Sequence, residues 1–372
     1  MMFLDIISTL ISGGIQKVRQ VITIKANKIS IRDIARECNV SVATVSRVLN
    51  NSQAVREDTR ALVQSVIERN NYKPNELARG LYTQRTKSIG VILPEITNHF
   101  FAKVFLEIEK AAIEFGQTVF LCNTLSEYRL EDFYASRLAE KQVDGLILLG
   151  GHVNETKTNA QYVALLKRDV FPTPIVIING KLDHYTENCV IVSSDEHEAM
   201  FQAISYLTGL GHRKIGFLGG RKGIMSTDIK LRALKQVSQQ ADFILKKEWI
   251  KQSDFTYQGG VNAMSALLEE KELPTAIIAI NDEAAAGIIN TCIAKGFHIP
   301  DDFSVLGFDN SAISTTTLPS ITTLSHPYKD LGFIAVDLIN KMLTEPTGQP
   351  SEINLKMEIV QRDSCKAVFL RV

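Results

Sequence analysis

The chain lacks the residue spacings that most catalytic and metal chemistry requires. None of its five cysteines (Cys38, Cys122, Cys189, Cys292, Cys365) stands in a CxxC pair. Each lies in an apolar context, the pattern of buried reduced thiols in a cytoplasmic protein. The seven histidines do not fall at metal-ligand spacing, so no metal is expected. There is no Walker sequence, and Gly150-Gly151 and Gly219-Gly220 have no GxGxxG companion, so both pairs read as strand-end turns rather than phosphate cradles. No GxSxG elbow offers a nucleophile. An enzyme is therefore the weaker expectation, and no cofactor is implied. No apolar run is long enough to span a bilayer, and no low-complexity segment or short internal repeat occurs.

Net charge is missing too, because 41 Lys and Arg balance 41 Asp and Glu. With 45% apolar residues and a mean hydropathy of +0.02, the 372 residues describe a soluble globular chain of two or three domains. The zero conceals an asymmetry. Residues 1–87 carry fourteen basic against seven acidic residues, and the remainder carries twenty-seven against thirty-four. A head of +7 on a body of −7 is the sign pattern of a nucleic-acid-binding module joined to a non-binding one.

The stretch Ile31 to Leu49, IRDIARECNVSVATVSRVL, has the pattern of two short helices and a tight turn. Ile31, Ile34, Ala35 and Cys38 recur at helical spacing. Asn39-Val40-Ser41 is long enough only for a turn, and Ser41 is a good N-cap for the second helix. There Val45, Val48 and Leu49 share one face, while Val42, Ala43, Ser46, Arg47 and Asn50 share the other. An outer face of small residues with one Arg fits the major groove of duplex DNA. An ordinary helical hairpin would share this pattern. A third helix opens at Glu57-Asp58 and places Leu62, Val63, Val66 and Ile67 inward, and Pro74 prevents a continuous helix beyond Asn70-Asn71.

Two segments at this separation, SVATVSRVLNNS (Ser41 to Ser52) and YKPNELARGL (Tyr72 to Leu81), strongly resemble the lactose-repressor/galactose-repressor (LacI/GalR) family of bacterial transcription regulators. The resemblance implies a helix-turn-helix DNA-binding head over 29–84 with a hinge helix over 75–82. That hinge would order on operator DNA, with Leu81 as the wedge in a central minor-groove step and Asn75 and Ala78 beside the duplex. By itself a helix of this length would be marginal in water. Residues 1–28 precede the usual family start. They have no signal-peptide pattern, and they read as a tail, an upstream start, or a basic arm adding phosphate contacts.

From Ser88 the period changes. SIGVIL (88–93), TVFLCN (118–123), VDGLILLG (143–150), PIVIIN (174–179), KIGFLG (214–219), TAIIAI (275–280) and FSVLGF (303–308) are short Val/Ile-rich runs separated by helical stretches. Alternating strands and helices mean an α/β class with parallel sheets buried on both faces, and the number of strands implies two lobes. The body, 88–372, resembles the periplasmic sugar-binding fold that this family carries. A family-like crossover would give a first lobe of about 88–193 and 325–350, and a second of about 194–322 and 351–372.

Ligands of two-lobed α/β proteins bind where the carboxyl ends of strands meet. There the resemblance places Phe100 and Phe101 as aromatic walls, Asn179 as a hydroxyl partner, and Asn281 and Asp309 as further ligand positions. Lys230 stands where the family has an Arg, so a point charge replaces a bidentate fork. The expected protein is thus a cytoplasmic homodimeric regulator, a repressor of a carbohydrate-utilisation operon. It would bind palindromic double-stranded operator DNA and answer to a sugar or sugar phosphate. Val42, Ala43 and Arg47 would face bases, and Ser41, Thr44 and Ser46 phosphates or N-terminal helix contacts. A family subset controlled by a phosphorylated carrier protein is the alternative, with the helix from Tyr328-Lys329-Asp330 to Lys341 as a candidate surface. A solute-binding protein or a sugar-metabolising enzyme would share the body but have no use for residues 30–82. No Leu-rich heptad tail follows Arg362, which favours a dimer over a tetramer.

Overall fold

Capping and side-chain spacing account for the helices of the first unit. The computed structural model describes residues 29–49, 52–72, 85–184, 188–238, 243–345 and 352–368, and the chain divides into units Met1–Gln84 and Arg85–Val372. Ser30 opens α1 (Ile31–Glu37) with a capping box, its hydroxyl accepting from the Asp33 amide at 3.3 Å while the Asp33 carboxylate accepts from the Ser30 amide at 3.0 Å. Asn39, at φ 53°, supplies the left-handed residue of the turn. The Ser41 hydroxyl then accepts from the Thr44 amide at 3.1 Å, which starts α2 (Val42–Leu49).

Helix α3 (Glu57–Arg69) lies across both. Ile34, Ala35, Cys38, Val45, Val48, Val63 and Val66 form the shared core. The Glu37 carboxylate holds Arg69 and accepts from Asn70 Nδ2 at 3.1 Å, fastening the end of α3 to α1. One expectation fails here: Leu62 is 48% exposed. Val63 and Val66, with half-buried Ile67 beside them, face the small core, and Leu62 lies one residue, about 100°, to the side of Val63. The extension 1–28, Asn50 and the expected hinge 75–82, with Asn75, Ala78 and Leu81, lie outside the described residues.

The second unit consists of two α/β lobes. The first lobe's sheet runs β11-β5-β4-β3-β1-β2, formed by β1 (Ser88–Leu93), β2 (Thr118–Asn123), β3 (Gly145–Leu149), β4 (Ile175–Ile178), β5 (Cys189–Ser194) and β11 (Glu352–Leu355). It carries α4 (His99–Glu114), α5 (Tyr128–Glu140), α6 (Ala160–Leu165) and α12 (Tyr328–Thr344). The second lobe's sheet runs β12-β10-β9-β8-β6-β7, from β6 (Ile215–Leu218), β7 (Ile250–Lys251), β8 (Ala276–Ala279), β9 (Ser304–Phe308), β10 (Thr322–Ser325) and β12 (Glu358–Val360). Its helices are α7 (Glu196–Gly209), α8 (Met225–Ser238), α9 (Tyr257–Leu267), α10 (Asp282–Ala294) and the short α11 (Ala312–Thr316). Among the described strands all pairings are parallel except β10 with β12.

Strands β1, β3, β4, β6, β8 and β9 are buried along their whole length, because helices cover both faces. The run TVFLCN departs from this: β2 is an edge strand, and Phe120 and Leu121 are 41% and 40% exposed. The chain changes lobe after Ser194, after Ser325 and after Leu355. Leu331, Ala335, Val336 and Ile339 of α12 pack into the first lobe's core. The third crossing lies later than the expected boundary at 351. Glu352–Leu355 pairs in parallel with Ile191–Ser194 and satisfies the outer edge of β5, so this strand belongs to the first lobe.

A core test follows from the head. Ile34→Ala is expected to destabilise it by about 2–5 kcal/mol through transfer and cavity costs. Leu62→Ala should stay within about 0.5 kcal/mol, as a surface change does. Amide exchange of the head residues measures both.

Candidate ligand cleft and DNA-binding face

On α2 the residues divide as their spacing requires. Val45 and Val48 are buried in the core, while Val42, Ala43 and Arg47 are exposed, and Thr44 and Ser46 are half-buried. No acidic residue lies on this helix. The Ser41 and Thr44 hydroxyls sit 2.9 Å apart at the helix start, where free amides and the positive end of the helix dipole favour phosphate. The exposed set is thus apolar at its tip with one guanidinium, suited to a groove. Asn50, expected on the same face, lies outside the described residues, as do Asn75, Ala78 and Leu81.

In the body a cleft of about 980 Å³ opens between the carboxyl ends of the two sheets. It is lined by every residue expected there: Phe100, Phe101, Asn179, Lys230, Asn281 and Asp309. Asn98 caps α4, its side chain accepting from the Phe100 amide at 3.0 Å, and this sets both phenylalanines at the cleft wall. Their rings meet edge to face at 5.5 Å, and Phe100 lies 4.8 Å from the His326 ring. Asn179 takes φ 49° at the end of β4 and accepts from the Ser194 amide at 2.7 Å. Asn281 caps α10, accepting from Ala284 N at 2.9 Å and donating to the Phe255 carbonyl at 2.9 Å. Both amides therefore hold loops as well as facing the cleft. On either side, Gly260 and Gly287 let α9 and α10 approach so closely that a Cβ would meet the opposite carbonyl at 2.1 Å, and this brings Tyr257 to the cleft.

Lys230 lines the cleft, but its point charge is paired within the protein. It is 3% exposed, its ammonium paired with Glu196 and 4.6 Å from the Phe308 ring centroid. A buried charge requires such a partner, and Glu196 supplies it from the first turn of α7. Tyr328 differs from its expected place on a helix surface. It packs against Phe100 and His326, and its hydroxyl donates to the Asp309 carbonyl at 2.8 Å.

Asp309 itself stands at φ 100° after β9, with Oδ1 3.3 Å from His326 Nε2. His326 Nδ1 lies 2.8 Å from Ser194 Oγ. With Nδ1 accepting from the serine hydroxyl, Nε2 carries the proton and lies toward the carboxylate. The order hydroxyl, imidazole, carboxylate matches a hydrolytic triad. Ser194, however, is 5% exposed and does not line the cleft, so the chain joins the first two crossings rather than presenting a nucleophile. Among the described residues no group of three or more His, Cys, Asp or Glu is placed to hold a metal ion, and no helix is long and apolar enough to cross a membrane.

Sequence reasoning missed several lining residues. His326 follows β10 as Asp309 follows β9, so the rule of polar residues after strands would have reached it. Phe255 and Tyr257 follow β7, whose two residues leave no strand pattern to read. Tyr128, Glu196, Arg221 and Glu283 also line the cleft, and only the fold brings them there.

Behind the cleft Asp282 is fully buried, accepting from Ser311 N at 2.7 Å and Thr323 Oγ1 at 2.6 Å. Burial first, and the neighbouring Asp309 second, push its carboxyl up to about 8 from an ordinary 3.8. A folded value above the unfolded one means that the proton stabilises the fold at low pH. That contribution is lost as pH rises from about 4 through about 8. Asp282→Asn keeps an acceptor for Ser311 and gives a donor to Thr323. It is expected to flatten the fall in melting temperature across this window, measured in parallel scans with the unaltered protein.

Two family models match the chain: "Bacterial regulatory proteins, lacI family" over residues 30–75 and "Periplasmic binding protein-like domain" over 204–365. The chain is 34% identical to catabolite control protein A of Priestia megaterium over 91% of this chain and 99% of that protein. It is 31% identical to the HTH-type transcriptional repressor PurR of Glaesserella parasuis serovar 5 (strain SH0165), over 87% of this chain and 92% of the other. Its fold is similar to that of the lac repressor dimer bound to operator and the anti-inducer ONPF, with TM-score 0.79 and 23% identity, covering 92% of this chain and all of that one. With a helix-turn-helix head and a ligand-binding body, the chain belongs to the lacI family of bacterial regulatory proteins and is a DNA-binding transcriptional regulator.

Proposed function

We propose that the chain is a homodimeric cytoplasmic repressor of a carbohydrate-utilisation operon, acting by binding and release rather than by catalysis. Two heads read a palindrome. Val42, Ala43 and Arg47 approach base edges, Ser41, Thr44 and Ser46 contact phosphates, and Asn50 extends that face. Asn75, Ala78 and Leu81 form the hinge that holds the central minor groove. A sugar or sugar phosphate closes the cleft through Phe100, Phe101, Asn179, Asn281 and Asp309, with Lys230 held behind them by Glu196. Closure moves the two lobes and disfavours paired hinges, provided that the ligand prefers one body state.

The observation that carries this reading is the cleft itself, walled by aromatic rings and lined by amide and carboxylate groups from both lobes. Aromatic faces suit the apolar side of a sugar ring, and the polar groups suit its hydroxyls. A second reading, control by a phosphorylated carrier protein, is favoured by the 34% identity to a catabolite control protein.

Selection of duplexes from a random pool at one fixed salt concentration should return a palindrome with a flexible central step. Recovery of only sequence-independent binding, with and without sugars, would sink the operator reading. On the selected duplex, Arg47→Ala is expected to lose about 1–3 kcal/mol while binding to random DNA is unchanged. Equal losses would remove Arg47 from base edges. Leu81→Ala should weaken operator binding and leave ligand affinity intact. If adding a phosphorylated carrier protein raises operator affinity and no sugar does, the second reading takes its place.

A further inference from the structure

We propose that the cleft selects an amino-bearing polyol, an amino sugar in chemical class, whose ammonium sits between Glu283 and Asp309, and that it rejects phosphorylated sugars. The inference rests on reading the cleft as the effector site and narrows its ligand. Six acids line the cleft (Glu95, Glu155, Glu196, Asp254, Glu283 and Asp309) against three bases (Arg221, Lys222 and Lys230), a formal excess of three negative charges. Two of the bases are already compensated. Lys230 is buried against Glu196, and Arg221 lies 6.0 Å over the Phe255 ring, where its charge acts on Asp254. Lys222, exposed in the 221–223 turn, is the remaining base of a lining that holds four further carboxylates.

The helix ends tell the same story by an independent route. An anion in an α/β cleft ordinarily uses free amides at a helix N-terminus. Here α10 is capped by Asn281 and carries Asp282 and Glu283 in its first turn. Helix α7 is capped by Asp195 and carries Glu196 and Glu198. The side chain of Thr256 closes the start of α9. At these three helix starts the chain's own acceptors occupy the positions that a phosphate would need, whereas α5, whose Tyr128 also lines the cleft, has no side-chain cap.

At the cleft floor Glu283 comes from α10 and Asp309 from the end of β9, and His326 orients the latter. Burial first, and Asp309 second, hold the Glu283 carboxyl above the usual range, and Asp282 behind them resists ionisation for the same reasons. A cation between Glu283 and Asp309 relieves that repulsion, and an anion deepens it. Phe100, Phe101 and Tyr257 add ring faces that suit both a sugar and an ammonium.

Calorimetry on the full chain with matched sets tests this: glucose, glucosamine and phosphorylated glucose, then the corresponding galactose and mannose sets. In at least one set the amino sugar is expected to bind about tenfold tighter than its parent, the gain of one charge-assisted hydrogen bond. No phosphorylated sugar should bind. Glu283→Gln and Asp309→Asn should each bring the ratio of amino sugar to parent towards one. A phosphorylated sugar that binds tighter than its parent, or the absence of any set in which the amino form is preferred, overturns the inference. If a phosphorylated sugar, or a neutral sugar in preference to its amino form, binds and shifts operator affinity, ligand control stands and only the class is wrong. If no sugar binds or shifts operator affinity, both readings fall.

Discussion

Parallel strand pairing is the constraint on which the body depends. Parallel neighbours cannot be joined by tight hairpins, so most connections here are helices laid across a face of the sheet. Those helices bury both faces, and they leave every loop of one polarity on a single edge. Here two such edges meet. Phe100 follows β1, Asn179 follows β4, Asn281 follows β8 and Asp309 follows β9, and all four line one cleft although 209 positions separate the first from the last. The ligand site is thus a consequence of strand direction.

The two lobes are tied where the chain passes between them. Ser194 ends β5, His326 follows β10 and Asp309 follows β9; Ser194 is hydrogen-bonded to the imidazole, and the Asp309 carboxylate lies 3.3 Å from its other nitrogen. Phe100 and Tyr328 pack on the same imidazole from the first lobe. A ligand that touched Phe100 and Asp309 would therefore lie beside the crossings between the lobes. In a regulator of this family the DNA-binding head precedes that body in the chain. A ligand with different affinity for the two lobe arrangements then has a physical route to operator affinity.

Charge is managed differently in the two units. On α2 a single exposed Arg47 stands among small residues, free to meet a groove. In the cleft, two of the three bases are compensated and carboxylates are in excess, and behind it burial leaves Asp282 a weak acid. The separation of +7 and −7 along the chain is the coarse form of the same division.

The sequence by itself determined whatever depends on near neighbours. Helical spacing, the Ser30 and Ser41 caps and the left-handed Asn39 lie within a few residues of what they control, so the head and the two α/β lobes could be read directly. Six cleft residues were also within reach, because they follow strands or match a family motif. Tertiary structure alone decided the rest, since the deciding interaction in each case joins distant positions. Glu196 neutralises Lys230 from 34 residues away, and Ser194 meets His326 across 132. The edge position of β2 and the place of Glu352–Leu355 beside β5 depend on which strand has an open hydrogen-bonding side, and no local pattern records that. Periodicity reports which face of an element is apolar; only packing determines which charge or strand edge will lie opposite.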